Sequence, residues 1–295
     1  MKNSPRCLEK FWLAARIGGL ASVVLLTAAC ARNPYAVTNK MYRQQVKTLA
    51  RQLQAQPAAP DSLPATPYWV GTINFNLRKP NYVIIHHTAQ NSTEQTLKTF
   101  TLTKTQVSAH YVIGRDGQTY HMLNDYLRAW HGGVARWGSI RDINSVSIGI
   151  ELDNNGNEPF QEAQLASLFK VLASLKRTYN IPAANFIGHG DIAPLRKNDP
   201  SAQFPWARLA ARGFGLWYDG AILADTTAAP FAADSLGQLL PGLTPREALR
   251  IIGYDTQDLT AAIVAFKRHF VQTDISPALT ENDRRILYAI YRKVL

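Results

Sequence analysis

Three short apolar runs, at residues 82–86, 146–151 and 185–188, constrain the fold of this chain most strongly. Their pattern predicts strands, and the first reads as a strand buried on both faces. An apolar stripe with helical spacing runs from Leu165 to Tyr179, between the second and third runs. Strands that alternate with helices predict an α/β fold with a mixed sheet flanked by helices. Residues 110–113 and 119–123 flank Asp116-Gly117 and predict a hairpin in that sheet.

The first thirty residues predict an exported lipoprotein. Four basic residues precede the apolar run 17–29, which is shorter than the roughly 20 residues that a spanning helix needs. The run ends in small residues directly before Cys30 and resembles a bacterial lipobox. We therefore expect a signal peptide at 1–29 and a lipid anchor on Cys30. Ala31 follows Cys30 and resembles the outer-membrane sorting pattern of Gram-negative lipoproteins, so we expect the protein in the outer membrane, facing the periplasm. The alternative is a buried N-terminal helix.

Residues 30–67 predict a short tether between this anchor and the body of the protein. Apolar residues between Met41 and Leu53 have the spacing of a short amphipathic helix. Four prolines among residues 57–67 predict a semi-rigid linker.

The two cysteines, Cys7 and Cys30, exclude a disulfide scaffold and a cysteine-rich zinc module, so any metal must be held by histidines and carboxylates.

The net charge of +11, from 32 Lys+Arg and 21 Asp+Glu, makes a nucleic-acid partner worth considering. The basic residues are scattered, however, and form no basic helix or aromatic-basic motif. Export also argues against nucleic acid, so cell-wall polymers and anionic lipid are the expected acidic neighbours.

Polar residues that could carry chemistry lie at the ends of the predicted strands. His86, Glu151 and His189 follow the three apolar runs, and sites in open α/β sheets collect at the carboxyl ends of strands. His87 competes with His86, because neighbours in a strand face opposite sides and spacing cannot choose between them. Pro200 favours an extended Asp199, which would place Lys197 and Asp199 on one side. Two histidines and one aspartate suit a catalytic zinc ion.

Four motifs in order then resemble the zinc-dependent N-acetylmuramoyl-L-alanine amidases, whose fold is shared with peptidoglycan-recognition proteins. The motifs are Tyr82-Val-Ile-Ile-His-His-Thr-Ala89, Ala129-Trp-His-Gly132, Ile148-Gly-Ile-Glu151 and the segment 188–200. The lipobox and the C-terminal residues are similar to the AmiD-type subgroup of outer-membrane lipoproteins. The resemblance implies a catalytic domain at 68–220. The composition of residues 221–235 indicates a connector. Residues 236–295 predict a small domain of three short helices, which resembles a peptidoglycan-binding domain; its first helix starts with a capping box at Thr244–Glu247 and stops at Gly253.

The resemblance also implies roles for particular residues. His86, His189 and Asp199 would hold one Zn²⁺ per chain, although Asp191 competes with Asp199 on spacing alone. Glu151 would be the catalytic base and Lys197 would stabilise the oxyanion. His131 and Trp130 would bind substrate. The implied reaction is hydrolysis of the amide between N-acetylmuramic acid and L-alanine in peptidoglycan or muropeptides, by a monomer.

Two other functions stay open at this point. A peptidoglycan-recognition lipoprotein on the same fold would bind without catalysis, but such a protein would lack a ligand or the base. An unrelated zinc peptidase would show His-Glu-x-x-His, which is absent from the sequence. The composition of the C-terminal residues suggests that they assist wall engagement rather than chemistry.

Overall fold

The computed structural model describes residues 33–55, 72–224, 231 and 243–295, and the chain forms two compact units, residues 1–69 and 70–295. In the first unit, helix α1 spans Ala36–Gln54 and confirms the amphipathic helix predicted there. None of the described helices combines the length and the apolar character needed to cross a bilayer. The predicted signal peptide, Cys30 and the proline-rich linker lie outside the described residues, as does most of the 221–235 connector.

The second unit is built on a five-stranded mixed sheet, as predicted. Its strands are β1 (Tyr82–His87), β2 (Tyr111–Ile113), β3 (Thr119–His121), β4 (Ser147–Leu152) and β5 (Phe186–Gly188). Their order is β3-β2-β4-β1-β5, with β2 and β3 antiparallel and the other neighbours parallel. The β2–β3 pair confirms the predicted hairpin, and Gly117 supplies the positive φ that its turn requires.

Both faces of the central strands are covered, which explains their continuous apolar sequences. Val83, Ile85 and Ile150 pack in one core with Leu168 and Leu172 of helix α4 (Glu162–Tyr179). The opposite face carries a smaller apolar cluster around Ile84 and Ile187. Since side chains alternate along a strand, His86 lies on this second face and His87 on the face of α4.

Four short helices lie between the strands or after the last strand, and two of them carry clear capping signals. The Ser92 hydroxyl accepts a hydrogen bond from the Gln95 amide at the start of α2, and Asp142 caps α3 in the same way. The helices are α2 (Thr93–Thr101), α3 (Ile143–Val146), α5 (His189–Ile192) and α6 (Trp206–Ala210).

Three further helices follow in the C-terminal residues, as the sequence predicts. They are α7 (Pro245–Ile252), α8 (Leu259–Phe270) and α9 (Glu281–Arg292). Thr244 and Glu247 form the predicted capping box of α7, and Gly253 ends that helix with a φ of 135°. The three helices share an apolar core that includes Leu249, Phe266 and Leu287.

Candidate metal centre

The site forms where the parallel strands end. His86 near the end of β1 is in register with Glu151 of β4, so both side chains reach the same edge of the sheet. β5 pairs with β1 from Phe186 to Gly188, and His189 is the next residue, at the start of α5. The strand order therefore brings together residues that lie up to 103 positions apart in the sequence.

Three side chains converge there with their ligand atoms almost in contact. The Nδ1 atoms of His86 and His189 are 2.9 Å apart, and each lies 3.1 Å from Oδ2 of Asp199. All three residues are buried. Among the described residues, this is the group of histidine and carboxylate side chains whose geometry can hold a metal ion. The structure thus brings the three predicted ligands together, while their role as ligands stays a prediction.

A chain of hydrogen bonds defines which nitrogen of His86 carries its proton. The Ser147 hydroxyl donates to the Ile143 carbonyl at 2.7 Å, so its oxygen accepts from Nε2 of His131 at 3.1 Å. In the neutral His131 ring, Nδ1 is then the acceptor, and it accepts a hydrogen bond from the Nε2–H group of His86 at 3.1 Å. His86 therefore presents an unprotonated Nδ1 to the cluster.

His189 reaches the same state through a backbone contact. Its Nε2 lies 3.1 Å from the Gly132 carbonyl oxygen, which can only accept, so Nε2 carries a proton, and in the neutral ring Nδ1 carries none. Two nitrogen lone pairs and one carboxylate oxygen thus face each other at about hydrogen-bond distance without a proton to share. A cation between them would resolve this conflict, and two histidines with one carboxylate fit catalytic zinc.

Burial keeps His86 and His131 neutral. Burial, with a further contribution from the charge of His189, lowers the pKa of His86 to about 4. Burial also holds the pKa of His131 well below its usual value. Neutral imidazole is the form that binds metal, so the centre is prepared for a cation at neutral pH.

Glu151 stands beside the cluster with one oxygen unused. Its Oε1 lies 3.9 Å from Nδ1 of His86, and its buried Oε2 has no hydrogen-bond partner among the described residues. Burial, and then the charge of Asp199, raise the pKa of Glu151 to about 8, while the charge of Lys197 opposes that rise. A carboxyl group that titrates near neutral pH and has a free oxygen is suited to accept and release protons.

Two small residues, Ser147 and Gly149, share the Glu151 face of β4, and the ring of His131 fills the space beside them. A Cβ atom on Gly149 would overlap this ring, so glycine is required by the close approach. His131 is buried and supports His86. The substrate-binding role that the family resemblance implies for His131 stays a prediction.

The structure shows where the two competing ligand candidates, His87 and Asp191, lie. His87 points to the other face of the sheet, where its Nδ1 accepts a hydrogen bond from the Ser201 amide at 3.2 Å. The Asp191 carboxylate turns away from the ligand cluster and accepts from the Gly188 amide at 2.7 Å. Neither residue belongs to the converging group of ligand atoms.

The two remaining predicted site residues lie at the edge of the centre. Lys197 is half-buried, and its charge acts on both His86 and Glu151. Trp130 is 51% exposed, and a paired hydrogen bond between its backbone and Ser108 holds it in place. An exposed indole is available for ligand contact, and its role in substrate binding stays a prediction.

Comparison with known proteins now places this centre in a family. Residues 76–202, which contain every residue of the cluster, match the family described as N-acetylmuramoyl-L-alanine amidase. The amidase AmiD of Escherichia coli K12 is 30% identical over 292 aligned residues, which cover 89% of this chain and 90% of that protein. The chain belongs to the N-acetylmuramoyl-L-alanine amidase family. The family resemblance seen in the sequence is confirmed.

Two solved structures of family members extend the similarity to the fold. One is E. coli AmiD in complex with the substrate anhydro-N-acetylmuramic acid-L-Ala-D-gamma-Glu-L-Lys, with a TM-score of 0.64 and 27% identity, covering 76% of this chain and 93% of that one. The other is AmpDh3 of Pseudomonas aeruginosa in complex with anhydromuramic pentapeptide. Its TM-score is 0.63 and its identity 26%, and the match covers 79% of this chain and 98% of that one. The mixed sheet with flanking helices is therefore the amidase fold.

Proposed function

We propose that the chain hydrolyses the amide bond between N-acetylmuramic acid and L-alanine in peptidoglycan or muropeptides. The observation that carries this proposal is the convergence of two unprotonated Nδ1 atoms and one carboxylate oxygen beside the unpartnered oxygen of Glu151. The family membership and the muropeptides bound to the two similar structures support the same substrate class.

In this proposal, His86, His189 and Asp199 hold one zinc ion. Zinc in such a site acts as a Lewis acid that makes bound water a nucleophile near neutral pH and polarises a carbonyl oxygen. No diffusible cofactor is needed for hydrolysis. The donor set, rather than the number of carboxylates, favours zinc over calcium or magnesium, which prefer oxygen ligands.

Glu151 is the proposed general base. Its free Oε2 can accept the proton of an attacking water, and the same carboxyl group can then deliver that proton to the departing amine. Lys197 is the proposed partner of the negative charge that develops on the carbonyl oxygen, because its charge already acts on this centre.

Mass spectrometry of digested muropeptides tests the activity. We expect the 31–295 fragment to release free peptides beginning with L-alanine, to lose this activity with a chelator and to regain it with Zn²⁺. Glu151→Gln is the matched control that keeps the metal ligands. Intact muropeptides after prolonged incubation with zinc-loaded protein would instead support a recognition protein on the amidase fold.

We further propose that Cys30 carries lipid acyl chains and anchors the protein in the outer membrane, facing the periplasm. The support is the lipobox-like sequence before Cys30 and the short apolar run that precedes it. Cys30→Ala should abolish membrane retention or processing in cell fractions. Unchanged processing and retention would contradict the anchor.

A further inference from the structure

The Asp191 carboxylate is the point where the C-terminal helices meet the metal centre. Its Oδ2 accepts from the Gly188 amide at 2.7 Å and from Nδ1 of His269 at 2.7 Å. Its Oδ1 accepts from the Tyr254 hydroxyl at 2.8 Å. Tyr254 follows α7 and His269 belongs to α8, so two of the three donors come from the C-terminal region.

All three side chains are buried, which makes these hydrogen bonds consequential. Asp191, Tyr254 and His269 are each at most 4% exposed. A buried carboxylate without donors is strongly unfavourable, and the local Gly188 amide supplies only one of the three donors. Without Tyr254 and His269, the segment around Asp191 would have to rearrange to reach water.

That segment carries one of the proposed zinc ligands and is hydrogen-bonded to the backbone of a second. Asp191 lies in α5, the four-residue helix that begins with His189. The amide of Gly190, between them, donates to the carbonyl of Asp199 at 2.7 Å. The position of α5 therefore determines the separation of the His189 ring and the Asp199 carboxylate.

The packing around His269 leaves little freedom for an alternative arrangement. Its ring stacks on the buried Trp206 ring with centroids 3.8 Å apart and planes 14° from parallel. Gly188 in turn lies against Trp206 and Pro200, with no room for a larger residue. The His269 ring is thus held between Trp206 and Asp191, and its Nδ1 is directed at the carboxylate.

We propose that Tyr254 and His269 are positioning residues of the zinc centre, which they hold in place through Asp191, so that the C-terminal helical region is part of the catalytic unit. The inference rests on the zinc site under Proposed function. It differs from the expectation that these helices assist wall engagement and stand apart from the chemistry. Outer-shell partners of metal ligands typically contribute about 10–100-fold to metal affinity or activity.

Zinc affinity of the full chain, measured by competition with a chromophoric chelator, tests this proposal. Tyr254→Phe removes one hydroxyl and keeps the ring that packs against Trp137. His269→Phe removes the donor and keeps a ring to stack on Trp206. Each single variant should raise the zinc dissociation constant by about tenfold, and the double variant should raise it further.

Tyr288→Phe is the matched control, since Tyr288 packs in the same helical core without contacting Asp191. It should leave zinc affinity at the wild-type value. The visible spectrum of the Co²⁺-substituted protein should change in Tyr254→Phe and stay constant in Tyr288→Phe, because it reports ligand geometry. The melting temperature of the metal-free protein separates this effect from simple loss of stability.

The outcomes distinguish this inference from the proposed function. Wild-type zinc affinity and an unchanged Co²⁺ spectrum in both single variants, even with a lower melting temperature, would show a merely structural role and overturn the inference. Wild-type protein that binds no zinc would overturn the zinc site and the inference together. Each variant removes only one of three hydrogen bonds, and either one in folded form is sufficient for the comparison.

Discussion

Two groups of polar side chains in this protein differ in whether their buried charges and lone pairs have partners. In the C-terminal helices, the fully buried Lys267 ammonium donates to Asp274 at 2.6 Å and to the Ala278 carbonyl at 2.7 Å, and it pairs with Asp283 at 2.9 Å. In the metal centre, three acceptor atoms face one another and Glu151 has an unpartnered oxygen. In the first group the buried ammonium has acceptors for its protons, whereas in the second group the buried acceptors lack a donor or a cation.

This difference indicates which group is structural and which is functional. A buried cation with matched acceptors has no capacity left for a ligand, and it holds a loop and two helices together. A buried set of acceptors is stable only if something positive joins it, so its mismatch points to a metal. Burial of polar groups alone would not have distinguished the two.

Loss of a ligand should have the largest effect. His189→Ala removes one of the three converging ligand atoms. We expect zinc content and hydrolysis to fall together, by more than the roughly 10–100-fold expected for an outer-shell partner. Elemental analysis and muropeptide hydrolysis measure the two quantities. His121→Ala, at an exposed histidine paired with Asp125 outside the cluster, is the control and should change neither.

Loss of the lysine should damage stability and leave the chemistry intact. Lys267→Met leaves Asp283 buried without its cation, and breaking such a pair costs about 3–5 kcal/mol of unfolding free energy. Denaturant unfolding measures this loss, and Lys170→Met on the exposed side of α4 is the control. A stable Lys267→Met protein would show that this group is not the structural one.

Lys197→Ala should lower the rate and spare the metal. If Lys197 acts like one oxyanion donor, its loss costs on the order of 3 kcal/mol of transition-state stabilisation, or about a hundredfold in rate. Zinc content should equal that of the wild type, and Lys197→Arg should recover part of the rate. Loss of zinc in Lys197→Ala would instead place this residue in the support of the metal.

The smallest expected effect is on the acid sensitivity of the lysine cluster. Hydrogen bonds, first from Lys267 and then from Ser276, lower the pKa of Asp274 from 3.8 to about 2. Because the folded-state pKa is depressed, this carboxylate stabilises the fold fully above pH 4, and the contribution is lost as pH falls toward 2. The stability difference between wild type and Asp274→Asn should therefore shrink between pH 4 and pH 2 in denaturant titrations; a constant difference would contradict this.

Local patterns in the sequence predicted the helices and strands well, and the family resemblance named the three side chains that converge in the structure. The apolar runs became β1, β4 and β5, and the Thr244 capping box began α7 where expected. The strand ends pointed to the correct edge of the sheet, and the family motifs selected His86 over His87. These features depend on neighbours in the chain, which is why the sequence shows them.

Long-range contacts were not predictable in the same way. Nothing near His131 in the sequence shows that its ring fills the space over Gly149 and accepts a hydrogen bond from His86. His269 lies 78 positions from Asp191, and no periodicity connects them. Such partners are defined by how separate elements pack, and single-residue patterns carry no record of that packing.

The most direct test of the central claim is the zinc content and the hydrolysis rate of Glu151→Gln, measured on the same purified sample as wild type. The amide keeps the shape of the side chain but cannot accept the proton. We expect wild-type zinc content and a rate lower by about 10²–10⁴-fold. A Glu151→Gln protein that is folded, zinc-loaded and fully active would contradict the assignment of Glu151 as the base of this metal centre.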